Sequence, residues 1–230
     1  MSFGTLIGGD SIDAGSPPPA NPLQVGPIVL VTAVGEAEGA RGAAAALACA
    51  GAEVDAASLF VDIGGRPPRP ALLATAAARK LEERLAAHLP DSRAAARGQV
   101  CHLAVPAEPE GLRAAAAAVA VGRGSTAVLR LPPELLQPIL DEPRLRPSGV
   151  LLRADLAEDR PLVALAARDL IARGFAVAVL KQRLGWVAER RALFGALTAG
   201  APGGLSPRLV RRLGIPNTGR AVPIQAPGMS

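Results

Sequence analysis

The stretch Ile28-Val-Leu-Val-Thr-Ala-Val34, then Gly35-Glu-Ala-Glu-Gly-Ala-Arg41, then an alanine-rich run to Ala50, decides the fold. Its first seven residues are a continuous run of mostly apolar, β-prone residues, the pattern of a strand buried on both sides. Glycines and glutamates interrupt that run, and the alanines from about Arg41 to Ala50 suit a slim helix. A buried strand turning directly into a helix opens a βαβ unit.

The alternation repeats downstream. Ser58 to Asp62 reads as a strand followed by a Gly/Pro turn. Leu72 to Leu89 reads as a helix, with Leu72, Leu73, Leu81, Leu85 and Leu89 on one side and its charged residues mostly on the other. Val100–Val105, Ala127–Leu131, Gly149–Arg153 and Phe175–Leu180 read as further strands. Glu108–Val119, Pro133–Leu140, about Arg160–Arg173 and Trp186–Leu197 read as helices, the third of them stopped by Gly174. The expected fold is α/β: three layers, Rossmann-like, a mostly parallel sheet with helices on both faces and its site at the carboxyl ends of the strands. Residues 1–26, with Pro17-Pro-Pro19, read as a flexible leader, 27–200 as a single α/β domain, and 201–230 as a Gly/Pro-rich tail with a short basic segment.

Half of the 230 residues are hydrophobic, yet there is one Trp and no Tyr, so Ala, Val and Leu must fill the core. The net charge is +5, carried almost wholly by Arg scattered among Asp and Glu, as GC-rich coding would give. Charge alone therefore argues little for nucleic acid; the stretch suited to it, or to an acidic membrane surface, is Arg208-Leu-Val-Arg-Arg-Leu213, for which a solvated tail is the default. Cys49 and Cys101 each sit in an apolar run and read as reduced core residues. Neither has a Cys or His at ligand spacing, so no metal site is expected. Met1 to Pro22 lacks the basic start and apolar centre of a signal peptide, and no apolar run approaches the ~20 residues of a membrane span, so the expected location is the cytoplasm.

In such a sheet the loop after the first strand is the natural phosphate site, because a helix N-terminus there offers free N–H groups and partial positive charge. A working phosphate loop adds glycines, a Lys on the β- and γ-phosphates and a Ser or Thr on Mg²⁺. Here the loop has no Lys, and Glu36 and Glu38 stand where phosphate oxygens would lie. A like-charge contact at ~4 Å costs about 4 kcal/mol at an effective dielectric of ~20. Arg41 supplies one compensating cation.

Val31-Thr-Ala-Val-Gly-Glu-Ala-Glu-Gly-Ala-Arg41 resembles, without a gap, the deviant phosphate loop V-T-S-G-K-G-G-V-G-K-T of the MinD/ParA/CpaE-like P-loop ATPases. Ser58-Leu-Phe-Val-Asp-Ile-Gly-Gly-Arg-Pro-Pro68 is similar to that family's second acidic motif, V-D-A-D-x-R-x-P, with Asp62 and Arg66 in matching places and Gly64 for the second Asp. Val128-Leu-Arg-Leu-Pro-Pro133 looks like its Walker B strand, V-I-D-T-P-P, and the segments at Gly149–Asp155 and Phe175–Arg183 look like its last two strands, with Lys181 and Gln182 near the base-facing Asn. The resemblance spans about residues 27–197 and implies a P-loop NTPase-like fold. It also implies losses: Gly35 replaces the signature Lys, Ala40 the phosphate Lys, Arg41 the Mg²⁺ Ser/Thr and Arg130 the Walker B Asp, while Gly39 and Asp62 survive. Phosphoryl transfer rests on positioning and charge neutralisation, and nearly every group that supplies them is missing.

Residue by residue, Asp62 is expected to cap the turn before Gly64-Gly65 rather than to be a catalytic relic. Arg41 is expected to pair with Glu36 or Glu38, and Arg130 with Asp62. His102 is expected to be structural, His88 exposed, and Trp186 an anchor of the last helix. No catalytic residue, cofactor or metal is expected, and no serine lies in a nucleophile elbow. The expected function is that of a pseudo-ATPase scaffold binding a protein partner, itself or an active ATPase paralogue, in spatial positioning, cell division or pilus and secretion assembly. The alternatives are a nucleotide or anion binder with a residual phosphate site at the first helix, and an unrelated Rossmann-like enzyme.

Overall fold

A computed structural model describes residues 26–34, 37–69, 71–154, 160–180 and 187–198, with the side chains of 34, 37, 38, 154 and 160 left out. The leader to residue 25, the tail with Arg208–Arg212, Gly35, Glu36, Lys181, Gln182 and Trp186 lie outside the described residues, as does the side chain of Glu38.

Seven strands form one sheet: β1 (Ile28–Val34), β2 (Ser58–Ile63), β3 (Arg93–Arg97), β4 (Val100–Val105), β5 (Thr126–Leu131), β6 (Gly149–Ala154) and β7 (Ala176–Leu180). Their spatial order is β3-β4-β2-β5-β1-β6-β7, with every neighbouring pair parallel except β3 with β4. The helices are α1 (Ala37–Asp55), α2 (Ala76–His88), α3 (Pro109–Val121), α4 (Leu136–Leu140, after a 3₁₀ turn), α5 (Arg160–Ala172) and α6 (Val187–Thr198). The α/β class, the parallel sheet and the two helical layers expected from the sequence are therefore all present.

Pleat parity builds the two cores. Leu59, Val61 and Ile63 of β2 join Leu103 of β4 and Leu129 of β5 in one cluster, closed by Leu81 and Leu85 of α2 and by residues of α3, α4 and α5. The alternate residues Val29, Val31, Phe60, Val128 and Leu151 form the other, closed by Ala43, Ala44, Leu47 and Ala48 of α1 and Leu193 and Leu197 of α6. Successive side chains on a strand point to opposite faces, so this assignment also places every remaining strand position. The chain leaves β1 for β2 on one side, returns through β5 and crosses to β6 on the other. That makes the carboxyl end of β1 the switch point of the sheet, where crevices form.

Two expectations need correction here. The helix expected from Leu72 begins at Ala76, because Thr75 caps it, its side chain accepting from the Ala78 N–H at 3.3 Å. Upstream, Leu73 and Thr75 exchange backbone hydrogen bonds with Gly98 at 2.9 and 2.8 Å, and Leu72 and Leu73 are left exposed. Pro67 and Pro68 hold the preceding segment extended and withhold donors. Residues 64–69 and 71–75 thus form a strap running back along the sheet. Strand β3 was not expected at all: Arg93-Ala-Ala-Ala-Arg97 has no strand propensity of its own and forms by pairing with β4.

Candidate functional site

The parity that puts Leu59, Val61 and Ile63 on the α2 side puts Phe60 and Asp62 on the α1 side, with His102 of β4 and Arg130 of β5. The register sets Asp62 beside Arg130 across one strand pair, and Phe60 beside His102 across the other. All four residues thus meet under the N-terminal part of α1.

Asp62 is wholly buried, and Arg130 is 6% exposed. Arg130 Nη1 donates to the Ile63 carbonyl at 2.8 Å and to Asp62 Oδ1 at 3.3 Å. From above, Arg41 Nε lies 2.9 Å from Asp62 Oδ2, in ion-pair contact rather than an aligned hydrogen bond. His102 stacks on Phe60, ring centroids 4.6 Å apart, and brings its Nε2 to 3.8 Å from the same oxygen. A buried carboxylate is costly unless paired, and two guanidiniums meet that need. Gly65 completes the enclosure: a Cβ there would sit 2.0 Å from Asp62 Oδ2. Gly64, at φ +72, donates its N–H to the Val105 carbonyl at 2.8 Å and supplies the left-handed turn that leads out of β2.

The expected Arg130–Asp62 pair is present. The expectation for Asp62 is corrected. Asp62 does not spend its carboxylate on the turn; the Gly65 N–H goes to the Asp62 backbone carbonyl at 3.3 Å, and the side chain faces the arginines. Arg41 also pairs with Asp62, because α1 carries it over the end of β2, while its expected partners, Glu36 and the side chain of Glu38, lie outside the described residues. Gly39 and Ala40 lie within the first turns of α1, and Ala40 is 1% exposed, packed in the α1-side core. A helix that starts at Ala37 absorbs residues which a phosphate loop would wrap around its ligand. Among the described residues, no cluster of three or more His, Cys, Asp or Glu side chains suits a metal ion.

Beside this cluster runs an open groove of about 1260 Å³. One wall is α1, through Arg41, Ala45, Cys49 and Ala52; the other is the strap, through Arg66, Pro67, Arg69 and Leu73; Phe60, Val100 and His102 contribute to the floor. Arg41 Nη2 donates to the Arg66 carbonyl at 3.3 Å and ties the walls together near the cluster. Sequence reasoning missed this groove. Its signals were the prolines at 67 and 68 and the pair Leu72-Leu73, both of which argue for an exposed extended segment.

The two thiols differ. Cys101 is buried, and burial, helped by the Glu82 charge, pushes its thiol up to about 12. Cys49 is exposed on the groove wall, which corrects the expectation that both are core residues.

No known family, no curated protein and no solved structure matches this chain. The site must therefore be read from its own chemistry. No helix among the described residues is long and apolar enough to cross a membrane.

Proposed function

We propose that this protein is a non-catalytic scaffold of the MinD/ParA type, acting in the cytoplasm through protein–protein contact around a former nucleotide pocket. The observation that carries the reading is the Asp62 cluster. In the family that the sequence resembles, the matching positions serve Mg²⁺ and phosphate. Here Arg41 and Arg130 take those places, and both are engaged with the buried carboxylate of Asp62. The buried carboxylate is compensated from within the chain, and the cluster links β2, β5 and α1. The strand order supports the same reading, since β1 and β5, which carry the former phosphate loop and Walker B position, lie side by side at the switch point.

The partner under this proposal is a second copy of the chain or an active ATPase paralogue, and the process is spatial positioning, cell division, or pilus and secretion assembly. A surviving nucleotide site is less well supported, because the one cation of the loop, Arg41, is already committed to Asp62. Calorimetric titration of the full chain with Mg²⁺ and ATP or ADP tests the proposal. The expected result is no binding at millimolar nucleotide; a micromolar Kd or a nucleotide-dependent rise in Tm overturns it.

A further inference from the structure

We infer that the groove between α1 and the strap is a docking site for an acidic, extended peptide segment of a partner protein, an inference that rests on the scaffold reading and specifies its surface. The charge pattern is the first argument. Arg66, Arg69 and Arg97 all line the groove and all are exposed. No carboxylate among the described residues pairs with any of the three. The acid on the groove wall, Glu53, is engaged by Arg191 of α6. The Asp62 cluster, only a few residues away, shows how this chain treats arginines it uses internally: it gives them a buried acid. The groove arginines have none and stand in solvent, open to a counter-charge brought by a partner.

Shape and apolar character supply the second argument. Between Arg41 and Glu53 the α1 wall runs about 18 Å at the helical rise of ~1.5 Å per residue. At ~3.3 Å per residue, an extended chain of five or six residues fits that length. Ala45, Pro67, Val100 and Leu73 give the groove an apolar lining, and Leu73 is 82% exposed. Acidic side chains on one face of an extended segment and an aliphatic one on the other would meet both features. Single-stranded nucleic acid is disfavoured because it binds on exposed aromatic platforms. The ring on the floor, Phe60, is 4% exposed and already stacked on His102.

Cys49 provides the readout. The chain has only two cysteines, and the other is buried. The probe is an eight-residue synthetic peptide alternating Glu and Leu, with a Gln/Leu peptide and an oligothymidylate of equal charge as controls. Binding to the full chain is followed by anisotropy and by the alkylation rate of Cys49. The Glu/Leu peptide is expected to bind and to slow alkylation at least fivefold, and neither control is expected to protect. Arg66→Ala with Arg69→Ala, and separately Leu73→Ser, should each weaken binding at least fivefold with unchanged Tm, since all three residues are exposed. Equal protection by the oligothymidylate, or binding insensitive to these variants, overturns the inference. So does a concentration-dependent dimer that the double variant makes monomeric, because a second copy would then be the occupant. If peptide binding fails and nucleotide is also not bound, the scaffold reading stands and its surface lies elsewhere. If nucleotide binds while the peptide results hold, the groove stands and the pseudo-ATPase reading falls.

Discussion

Two groups of arginines lie a few residues apart on this protein and are used in opposite ways. Arg130, 6% exposed, and Arg41, half-buried, converge on the fully buried Asp62. Arg66, Arg69 and Arg97 stand in the adjoining groove, exposed, with no acid among the described residues. The first group compensates a buried acid and contributes to the fold. The second is open, and no side-chain hydrogen bond or ion pair holds its guanidiniums among the described residues. Burial makes the difference: a desolvated charge must be matched inside the molecule, whereas a solvated one is screened and can wait for a partner.

The sharpest way to break the comparison is to remove the shared acid. Asp62→Ala leaves Arg130 buried and uncompensated and is expected to cost about 3–5 kcal/mol, measured by urea unfolding. A loss below ~1 kcal/mol would mean that the cluster is not structural. Gly65→Ala acts on the same carboxylate without touching its charge. A Cβ 2.0 Å from Asp62 Oδ2 must displace it, for an expected loss of about 1–3 kcal/mol. Arg41→Ala removes the partner whose side chain is 40% exposed, and is expected to cost at most about 1 kcal/mol. Arg66→Ala and Arg69→Ala, alone or together, are expected to leave stability within about 0.5 kcal/mol. That gradient, read by one denaturation assay, either separates the two groups or merges them.

The thiols sharpen the same contrast without mutation. At pH 8 the native chain is expected to yield one reactive thiol, Cys49, and a second only in denaturant. Cys101 has its pKa raised by burial, so the folded state favours the neutral thiol. Its contribution to stability is therefore complete below the ordinary thiol pKa and is lost as pH climbs from about 9 towards about 12. Two thiols reacting at pH 8 at equal rates would show that the α2-side core opens readily.

Much of the fold was legible in the sequence because its strands carry their own signal. The runs at Ile28–Val34 and Val100–Val105 are read directly, and Gly174 marks the end of α5, where its φ is +88. The pairing of Arg130 with Asp62 was also legible, since two opposite charges at corresponding strand ends invite it. What failed had no local signal. The alanines of β3 become a strand only against β4. Leu73 has helical spacing relative to Leu81, but Thr75 and the Gly98 hydrogen bonds start the helix later.

By itself, the sequence determined the alternation of buried strands and slim helices, and a loop after β1 that carries glutamates and no lysine, because both depend on which residue types occur at which spacing. Only the tertiary structure decided where the charges go. Sheet order and pleat parity brought Arg41, Arg130 and His102 around Asp62 from α1, β5 and β4, over separations of 21, 68 and 40 residues (62 − 41, 130 − 62 and 102 − 62). The same geometry left the groove arginines outside the protein's own charge balance. Charge pairing over such separations is a property of packed layers, and no local pattern encodes it.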